Sequence, residues 1–326
     1  MDGKIALEEH FGIEETLKQW DTAYAGWFES WPEIRRNLLD ITDHRIELMD
    51  KYQIERAILS LQIVGCQAEY DAKKSIDLAH RGNDHLANAI AKRPGRLFGF
   101  AAVPLQDPDA AILELRRCVK ELGFKGVHVN GFSQIGSPEN VVYLDDARYL
   151  PFWAAVEELD VPLYLHPRDP LLSREPIFEG HPWLRGSAWA FTVETATHAL
   201  RIMASGVFDR YPRATVILGH LGECLPYNVW RIDHRISWTP RGIPAKRKMA
   251  DYLRENFYLT TSGNFRTQAL INAILEVGSD RLLFSVDYPL EHMHEAVEWF
   301  DNASISENDR IKIGRTNAAK LFKMKN

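Results

Sequence analysis

The chain contains 326 residues, of which 45% are hydrophobic and 26% are charged, as is typical of a globular protein. Its formal net charge is −6. Acidic and basic residues are interspersed, so there is no concentrated basic face for a nucleic acid or an anionic membrane. No apolar stretch is long enough to span a bilayer. The three cysteines are widely spaced and form no CxxC pair, which predicts reduced thiols in a cytoplasmic protein.

Short apolar runs alternate along the chain with longer segments of helical periodicity. The predicted strands cover residues 5–7, 56–61, 97–103, 126–129, 162–165, 215–218, 257–261 and 281–286. The predicted helices cover residues 71–92, 109–122, 150–159, 192–211 and 267–277. Eight strands on a chain of this length favour a single (β/α)8 TIM-barrel domain over residues 1–326. A doubly wound open sheet is the alternative, but the first strand lacks the GxGxxG turn common in that fold.

Two aromatic segments interrupt this alternation, at about residues 12–40 and 168–191. Their large aromatic residues are Trp20, Tyr24, Trp27, Phe28 and Trp31 in the first and Trp183, Trp189 and Phe191 in the second. Both segments follow predicted strand ends, where the loops of a barrel build its active site. The aromatic side chains either wall a flat apolar substrate or pack subunits together, and the sequence favours neither.

The first predicted strand ends in Glu8-Glu9-His10. Residues two apart on a strand face the same side, so Glu8 and His10 are predicted to face the barrel mouth while Glu9 points towards the helices. A carboxylate and an imidazole placed in this way form half of a plausible divalent metal site. The pair alone is weak support, because Glu and His also end strands simply by meeting solvent.

Three further strands are followed at once by a polar residue: His166, His220 and Asp287. Each has an ordinary interpretation by itself, as a hydrogen-bonded histidine or a helix-capping aspartate. In a closed barrel, however, the first and last strands are neighbours and the fifth lies across the mouth. Glu8, His10, His166 and Asp287 are therefore predicted to converge on one point.

Five motifs carry a family resemblance. They are E-E-H-F at 8–11, Y-L-H-P at 164–167, I-L-G-H-L-G-E at 217–223, T-T-S-G-N-F at 260–265 and F-S-V-D-Y-P at 284–289. In these segments the sequence resembles the amidohydrolase superfamily and, within it, the branch of non-oxidative aromatic acid decarboxylases. Its start is most similar to that of the γ-resorcylate decarboxylases. The resemblance covers essentially the whole chain.

The resemblance implies one divalent metal ion, zinc or manganese with magnesium as a further candidate, and no organic cofactor. The implied metal ligands are Glu8, His10, His166 and Asp287. Roles beside the metal are implied for His220 and Glu223. The fourth predicted strand ends in Asn130 and not in the Lys that usually bridges two metal ions in hydrolases of this superfamily, which favours a single ion.

The implied reaction is the decarboxylation of an ortho-hydroxybenzoic acid, such as γ-resorcylate, 2,3-dihydroxybenzoate or salicylate, to CO2 and a phenol. Asp287 is assigned as the acid that protonates the ring carbon, while His220 and Glu223 steer the carboxylate or relay the proton. The residues assigned to bind or surround the substrate are Asn130, Arg231, Tyr288 and Leu290. An intrahelical or subunit salt bridge is an equal alternative for Arg231 and Asp233. The expected partners are thus a small aromatic acid and, by resemblance, further copies of the chain in a tetramer or dimer.

Two other functions stay open on the sequence alone. The first is a hydrolase that opens a lactone or amide through a metal-bound hydroxide, which the ligand set does not exclude. The second is a catalytically inactive barrel that serves as a binding protein, although all four ligand residues are present. The remaining histidines, among them His128 and His198, are expected to be structural or exposed to solvent.

Overall fold

The computed structural model describes residues 1–23 and 29–324. Its central strands are Lys4–Phe11 (β1), Ile54–Leu61 (β2), Leu97–Ala102 (β3), Gly126–Asn130 (β4), Leu163–His166 (β7), Val216–Leu218 (β8), Phe257–Thr260 (β9) and Leu282–Leu283 (β10). A hairpin of Ser133–Gln134 (β5) and Val141–Val142 (β6) follows β4. The eight central strands form one sheet in the order β1-β2-β3-β4-β7-β8-β9-β10, and the paired strands are parallel. The predicted (β/α)8 barrel is therefore confirmed.

The first and last strand regions meet and nearly close the barrel. The backbone N–H of Leu7 donates to Oγ of Ser285 at 3.1 Å, and the backbone N–H of His10 donates to the carbonyl oxygen of Tyr288 at 2.7 Å. The first contact lies just before Glu8, and the second joins His10 to the residue that follows Asp287. They bring the end of β1 beside the residues that follow β10, as the closed-barrel prediction requires.

Helices surround the strands. They are Glu14–Ala23 (α1), Trp31–Leu39 (α2), His44–Lys51 (α3), Ala72–Lys92 (α4), Pro108–Lys120 (α5), Leu150–Leu159 (α6), Ala190–Ala204 (α7), Val207–Arg210 (α8), the short turn His220–Glu223 (α9), Leu225–Trp238 (α10), Met249–Asn256 (α11), Thr267–Val277 (α12), Met293–Asn302 (α13), Glu307–Ile311 (α14) and Asn317–Leu321 (α15). Asp71 and Asp107 each accept two backbone N–H bonds at the start of α4 and α5, the usual role of an aspartate N-cap. None of the described helices is long and apolar enough to cross a membrane.

Four of the predicted helices are confirmed, as α4, α5, α6 and α12. The prediction of one continuous helix over 192–211 is wrong, because two helices, α7 and α8, cover this segment. The chain breaks at Gly206, whose φ of 81° ends α7 and starts α8 in a new direction. Segment 12–40, expected to be an aromatic loop, contains α1 and α2. Its helices were missed because each is at most ten residues long, too short for a sustained apolar stripe.

The barrel interior is filled below its mouth by apolar side chains from six of the strands and the C-terminal helix. The buried members of this cluster are Ile5, Leu7, Ile58, Phe100, Tyr164, Ile217, Leu283, Ala318 and Phe322. A much larger apolar cluster lies between the strands and the surrounding helices. The barrel is therefore a packed core and not a pore, so polar groups in its interior gather at the carboxyl ends of the strands.

The two aromatic segments pack in part against each other. Trp20 and Trp31 are buried and stacked with ring centroids 5.4 Å apart, and Phe191 of the second segment packs against their cluster. Trp183 and Trp189, in contrast, are exposed. Three aromatic residues of the first segment lie outside the described residues: Tyr24, Trp27 and Phe28.

Candidate metal centre

A β-bulge sets the direction of the side chains at the end of β1. Leu7 pairs with Ile58 and Glu9 with Leu59, so Glu8 is an extra residue without a partner on β2. Its φ is 68°, a left-handed conformation that a non-glycine residue adopts only where its surroundings enforce it. Bulges of this kind redirect side chains beside active sites.

The bulge lets Leu7 and Glu8 both face the barrel interior. Leu7 packs in the interior cluster, while Glu8 and His10 reach the mouth. Glu9 faces the opposite side, where its Oε1 accepts from the backbone N–H of Val286 at 2.9 Å. The predicted sides of all three polar residues are correct. In a regular strand without the bulge, Leu7 would lie on the same side as Glu9 and would not pack in the barrel interior.

Four buried side chains converge at the mouth. One ligand atom from each of Glu8, His10, His166 and Asp287 lies within 4.8 Å of the other three. Nε2 of His10 is 3.0 Å from Oδ1 of Asp287, and Nε2 of His166 is 3.5 Å from Oε1 of Glu8. Glu8 Oε1, His10 Nε2, His166 Nδ1 and Asp287 Oδ1 have no hydrogen-bond partner among the described residues. Buried polar atoms without partners are costly, and two carboxylates with two imidazoles are a donor set that fits a divalent cation.

The second oxygen of Glu8 is held by three hydroxyl groups. Oε2 accepts from Tyr164 and from Ser262, and from Oγ1 of Thr260 at 3.1 Å. These donors come from β7, from β9 and from the residues just after β9. They fix the carboxylate so that its other oxygen, Oε1, is directed at the cluster, as outer hydrogen bonds do for metal ligands.

The ionisation of these groups follows from their burial and their neighbours. Burial raises the pKa of Glu8, although the charges of His220 and His10 oppose this shift. Burial also disfavours the charged form of Asp287, but its close contacts with His10 and His220 outweigh it and lower its pKa. Burial, together with His10, lowers the pKa of His166 well below its usual value and keeps that ring neutral, as metal binding requires.

His220 lies beside the cluster and pairs with Glu223. Its Nδ1 is 2.6 Å from Oε1 of Glu223, and its Nε2 is 3.6 Å from Oδ2 of Asp287. Burial alone would lower its pKa, but Glu223 and Glu8 overcome this and raise the pKa well above its usual value. Thr192 donates to the remaining oxygen of Glu223 at 2.8 Å. The pair therefore holds a proton next to Asp287.

The backbone of this pair is unusual. Five consecutive residues, from His220 with a φ of 51° to Cys224 with a φ of 63°, have positive φ. Left-handed conformation costs about 1–2 kcal/mol for each residue that is not glycine, so the surrounding fold must offset this cost. The turn brings Glu223 back onto the ring of His220.

His10 is also supported from outside the barrel. Arg45 of α3 is fully buried, donates to the carbonyl oxygen of His10, and stacks on the ring of Tyr288 at 4.7 Å from its centroid. Oγ of Ser60 lies 3.2 Å from Nδ1 of His10. Burial raises the pKa of neighbouring Glu9 to about 8, against the charge of Arg45. Arg45 thus links the backbone of one proposed ligand to the segment that carries Asp287.

The residues assigned to the substrate are placed differently from one another. Asn130 is buried at the end of β4, beside His166 in the strand register, and its Oδ1 has no partner among the described residues. Tyr288 is buried against Arg45, and Leu290 packs against the aromatic cluster of Trp20 and Trp31. Tyr288 and Leu290 therefore support the mouth from behind.

Arg231 lies apart from these residues. Its side chain is exposed on α10 and lines a groove of about 420 Å³ between α7 and α10. Glu223 forms part of the inner wall of the same groove. Arg231 is thus adjacent to the His220–Glu223 pair but outside the four-residue cluster.

Comparison with known proteins identifies the family. Residues 43–324 match the family model for amidohydrolases. The chain belongs to the amidohydrolase family. It is 57% identical over 326 residues to the γ-resorcylate decarboxylase of Rhizobium sp., and the match covers 99% of both chains.

Solved structures of amidohydrolase-family decarboxylases have the same fold. A crystal structure of 2,6-dihydroxybenzoate decarboxylase in complex with 2,6-dihydroxybenzoate has a TM-score of 0.96 and 57% identity, covering 99% of this chain and 100% of that chain. A dihydroxybenzoic acid decarboxylase of Polaromonas sp., with bound manganese and the inhibitor 2-nitroresorcinol, has a TM-score of 0.96 and 58% identity, covering 99% and 98%. The family resemblance seen in the sequence motifs is confirmed.

Sequence reasoning missed several residues that shape this amidohydrolase-family site. Tyr164, Thr260 and Ser262 hold Glu8, and Arg45 holds His10. The T-T-S segment offered a signal, since hydroxyl residues directly follow the apolar strand β9. Arg45 offered none, because a basic residue on a short helix predicts a solvated face. His128, expected to be structural or exposed, is buried beside the cluster.

Proposed function

We propose that this protein is a metal-dependent, non-oxidative decarboxylase of ortho-hydroxybenzoic acids and that 2,6-dihydroxybenzoate is its substrate. The observation that carries the proposal is the buried cluster of Glu8, His10, His166 and Asp287, with the proton-holding pair His220–Glu223 at its edge. The reaction is that of a carbon–carbon lyase, a carboxy-lyase, which releases CO2 and a phenol and can run in reverse. Identity of 57% over nearly the full length to γ-resorcylate decarboxylase supports the substrate.

The four clustered residues are the proposed ligands of one divalent ion. Manganese is the first candidate because it is bound in the Polaromonas relative, and zinc and magnesium are the alternatives. When bound, the ion supplies positive charge that neutralises and orients the carboxylate and the ortho hydroxyl of the substrate. No organic cofactor is proposed.

Asp287 is the proposed general acid. It transfers a proton to the ring carbon that carries the carboxylate, and the carbon becomes tetrahedral. The bond between that carbon and the carboxylate then breaks, CO2 leaves, and the bonding electrons restore the aromatic ring. The low pKa of Asp287 means that it must receive its proton as substrate binds. His220, 3.6 Å away and protonated, is the proposed source, and the transfer becomes favourable when the anionic substrate beside Asp287 raises the pKa of that carboxyl.

The remaining assignments follow from position. The free Oδ1 of buried Asn130 is a suitable acceptor for a substrate hydroxyl. We assign Arg231 to the substrate carboxylate, which it would approach through the groove that it shares with Glu223. Tyr288 and Leu290 determine the shape of the pocket by supporting Asp287 and the aromatic wall.

We further propose that the chain is one domain, acts in the cytoplasm and forms a homotetramer or homodimer. The barrel strands run from Lys4 to Leu283, and the three cysteines are free. Large apolar side chains are exposed on α10 and before α7: Trp183, Trp189, Tyr227, Trp230 and Trp238. An exposed apolar surface of this kind is typical of a subunit contact. Sedimentation velocity would contradict the oligomer if the protein is a monomer at micromolar concentration.

The test of the function is a direct assay. Purified protein with manganese or zinc is incubated with 2,6-dihydroxybenzoate, 2,3-dihydroxybenzoate or salicylate, and CO2 and the phenol are measured with and without a chelator. We expect turnover of 2,6-dihydroxybenzoate that chelation stops. Hydrolysis of a lactone or amide without CO2 release would instead support the hydrolase alternative. Protein that fails to bind any divalent metal would support the inactive barrel.

A further inference from the structure

We propose that the side-chain amide of Gln62 binds the second ortho hydroxyl group of the substrate and so determines a preference for 2,6-dihydroxybenzoate over salicylate. The substrate class rests on the proposed function. A benzoate with two ortho hydroxyl groups presents its carboxylate and one hydroxyl to the metal cluster and leaves the other hydroxyl on the opposite side of the carboxylate. A polar group on that side distinguishes this substrate from one that carries a single hydroxyl group.

Strand alternation directs Gln62 towards the barrel mouth. Ile58 of β2 packs in the interior cluster, whereas Leu61 packs in the larger cluster outside the strands. Ser60 faces the interior, since its Oγ lies 3.2 Å from Nδ1 of His10. Gln62 comes two residues after Ser60 and therefore faces the same side, one layer nearer to the mouth.

The backbone keeps Gln62 in register with the end of β1. Its N–H donates to the carbonyl oxygen of Phe11 at 2.9 Å, and this bond continues the pairing of β1 with β2 beyond Phe11 and Leu61. Gly12 is the next residue after β1 and has no side chain. Of these two neighbouring residues, only Gln62 therefore places a side chain in the layer above His10.

One end of the Gln62 amide is held and the other end has no partner. Oε1 accepts from the hydroxyl group of Thr16 at 3.0 Å, while Nε2 has no hydrogen-bond partner among the described residues. Gln62 is only 1% exposed, and a buried polar atom without a partner is costly. The contact with Thr16 orients the amide and leaves its N–H donors for an acceptor that enters the mouth.

The loop that follows Gln62 reaches Asn130, a second amide with an unpaired atom. Oε1 of Gln67 accepts from the backbone N–H of Asn130 at 3.2 Å, and Oδ1 of Asn130 has no partner in the described part of the chain. Gln62 thus contributes a free donor and Asn130 a free acceptor. A phenolic hydroxyl group both donates and accepts, whereas a hydrogen atom at that ring position would leave both amides unpaired. Salicylate should therefore bind more weakly.

Equilibrium binding of two unreactive ligands tests the proposal without any measurement of turnover. 2-Nitroresorcinol, the inhibitor bound in the Polaromonas relative, has a hydroxyl group on each side of its nitro group, and 2-nitrophenol has only one. The manganese-loaded full chain is titrated with each ligand by isothermal calorimetry. We expect the wild type to bind 2-nitroresorcinol about tenfold more tightly, as one additional hydrogen bond would give. Equal affinities would overturn the proposal, whether or not any variant folds.

Variants assign this preference to the amide. Gln62→Met keeps the length of the side chain and should reduce the preference to less than about threefold, by weakening 2-nitroresorcinol binding without changing that of 2-nitrophenol. Thr16→Val should have a smaller effect in the same direction. Gln106→Met is the matched control, because Gln106 is a buried glutamine that bonds to Ser75 and Cys66. A Gln62→Met protein with the wild-type preference would contradict the assignment.

Release of CO2 separates this proposal from the proposed function. If 2,6-dihydroxybenzoate is not decarboxylated, but the wild type prefers 2-nitroresorcinol and Gln62→Met does not, the proposed reaction is wrong and the binding role of Gln62 stands. If 2,6-dihydroxybenzoate is decarboxylated and the wild type shows no preference between the two ligands, the reaction stands and the role of Gln62 is wrong.

Discussion

Nδ1 of His220 lies 2.6 Å from Oε1 of Glu223, and the other ring nitrogen faces Asp287 at 3.6 Å. These contacts place a protonated imidazole beside the carboxylate that we propose as the proton donor. A left-handed turn maintains them, so the geometry depends on a backbone conformation that the chain would not adopt locally.

Glu223→Gln should lower kcat by about 10²-fold, the usual contribution of a group that assists proton transfer. The amide removes the charge that holds the proton on His220. The metal content should stay at the wild-type level because Glu223 is not among the clustered ligands. Thr192→Val, which removes only the hydroxyl donor to Glu223, should have a smaller effect. If Glu223→Gln keeps the wild-type kcat, the His220–Glu223 pair takes no part in the proton transfer.

Asp287→Asn should abolish decarboxylation while the protein stays folded. An amide cannot deliver the proton, and it is also a weaker ligand than a carboxylate. Circular dichroism and thermal unfolding would verify the fold, and release of CO2 from 2,6-dihydroxybenzoate would measure the activity at saturating metal. Turnover near the wild-type rate would show that another residue is the acid.

Ser262→Ala and Tyr164→Phe should each weaken metal binding by about 10- to 100-fold, as is usual for the partners of metal ligands. Both remove a hydroxyl donor to Oε2 of Glu8 and leave the ligands themselves in place. Dissociation constants for Mn²⁺ can be measured by paramagnetic resonance of the free ion. Thr261→Val is a control nearby, since Thr261 donates to the carbonyl of Ser285 and not to Glu8. Unchanged affinity in both variants would mean that Glu8 is oriented by other contacts.

Arg45→Met should lower the free energy of unfolding by about 1–3 kcal/mol, because it leaves the buried carbonyl oxygen of His10 without its donor. The guanidinium is fully buried between Glu9, Tyr288 and the carbonyl of His10. Denaturant unfolding would measure the loss. Adding Glu9→Gln should recover part of it, because Glu9 is a buried carboxyl whose pKa the charge of Arg45 lowers. Additive losses in the double variant would show that the two groups are not coupled.

His198 should make the protein less stable as the pH falls. Burial lowers the pKa of this ring to about 3, and its Nε2 accepts from the backbone N–H of Leu144 at 2.9 Å. In the unfolded chain His198 has its ordinary pKa of about 6.5. Between about pH 6.5 and pH 3 the unfolded chain therefore binds more protons than the folded state. The folded state should thereby lose about 2 kcal/mol by roughly pH 5.

His198→Gln should remove this dependence from a plot of unfolding free energy against pH, whatever its effect at neutral pH. The matched change at an exposed ring, His234→Gln, should keep the wild-type slope. An identical slope in His198→Gln and the wild type would assign the acid sensitivity to other groups.

The sequence by itself determined the barrel and the four residues that converge at its mouth. Apolar runs ending in Glu8, His10, His166 and Asp287 mark strands that are buried along their length and polar at one end. The carboxyl ends of parallel strands lie at the same edge, so the topology alone brings these residues together. That inference needs no knowledge of side-chain contacts.

Only the tertiary structure determines how those side chains are oriented and which groups hydrogen-bond to them. The bulge at Glu8 depends on pairing with β2, and the hydroxyl of Thr260 reaches Glu8 from 252 residues away in the chain. Arg45 and His128 join the site because packing buries them there. Hydrophobic periodicity indicates which face of a helix or strand is apolar, but it does not determine strand register or the contacts between distant segments. Those features are fixed only when strands and helices pack together.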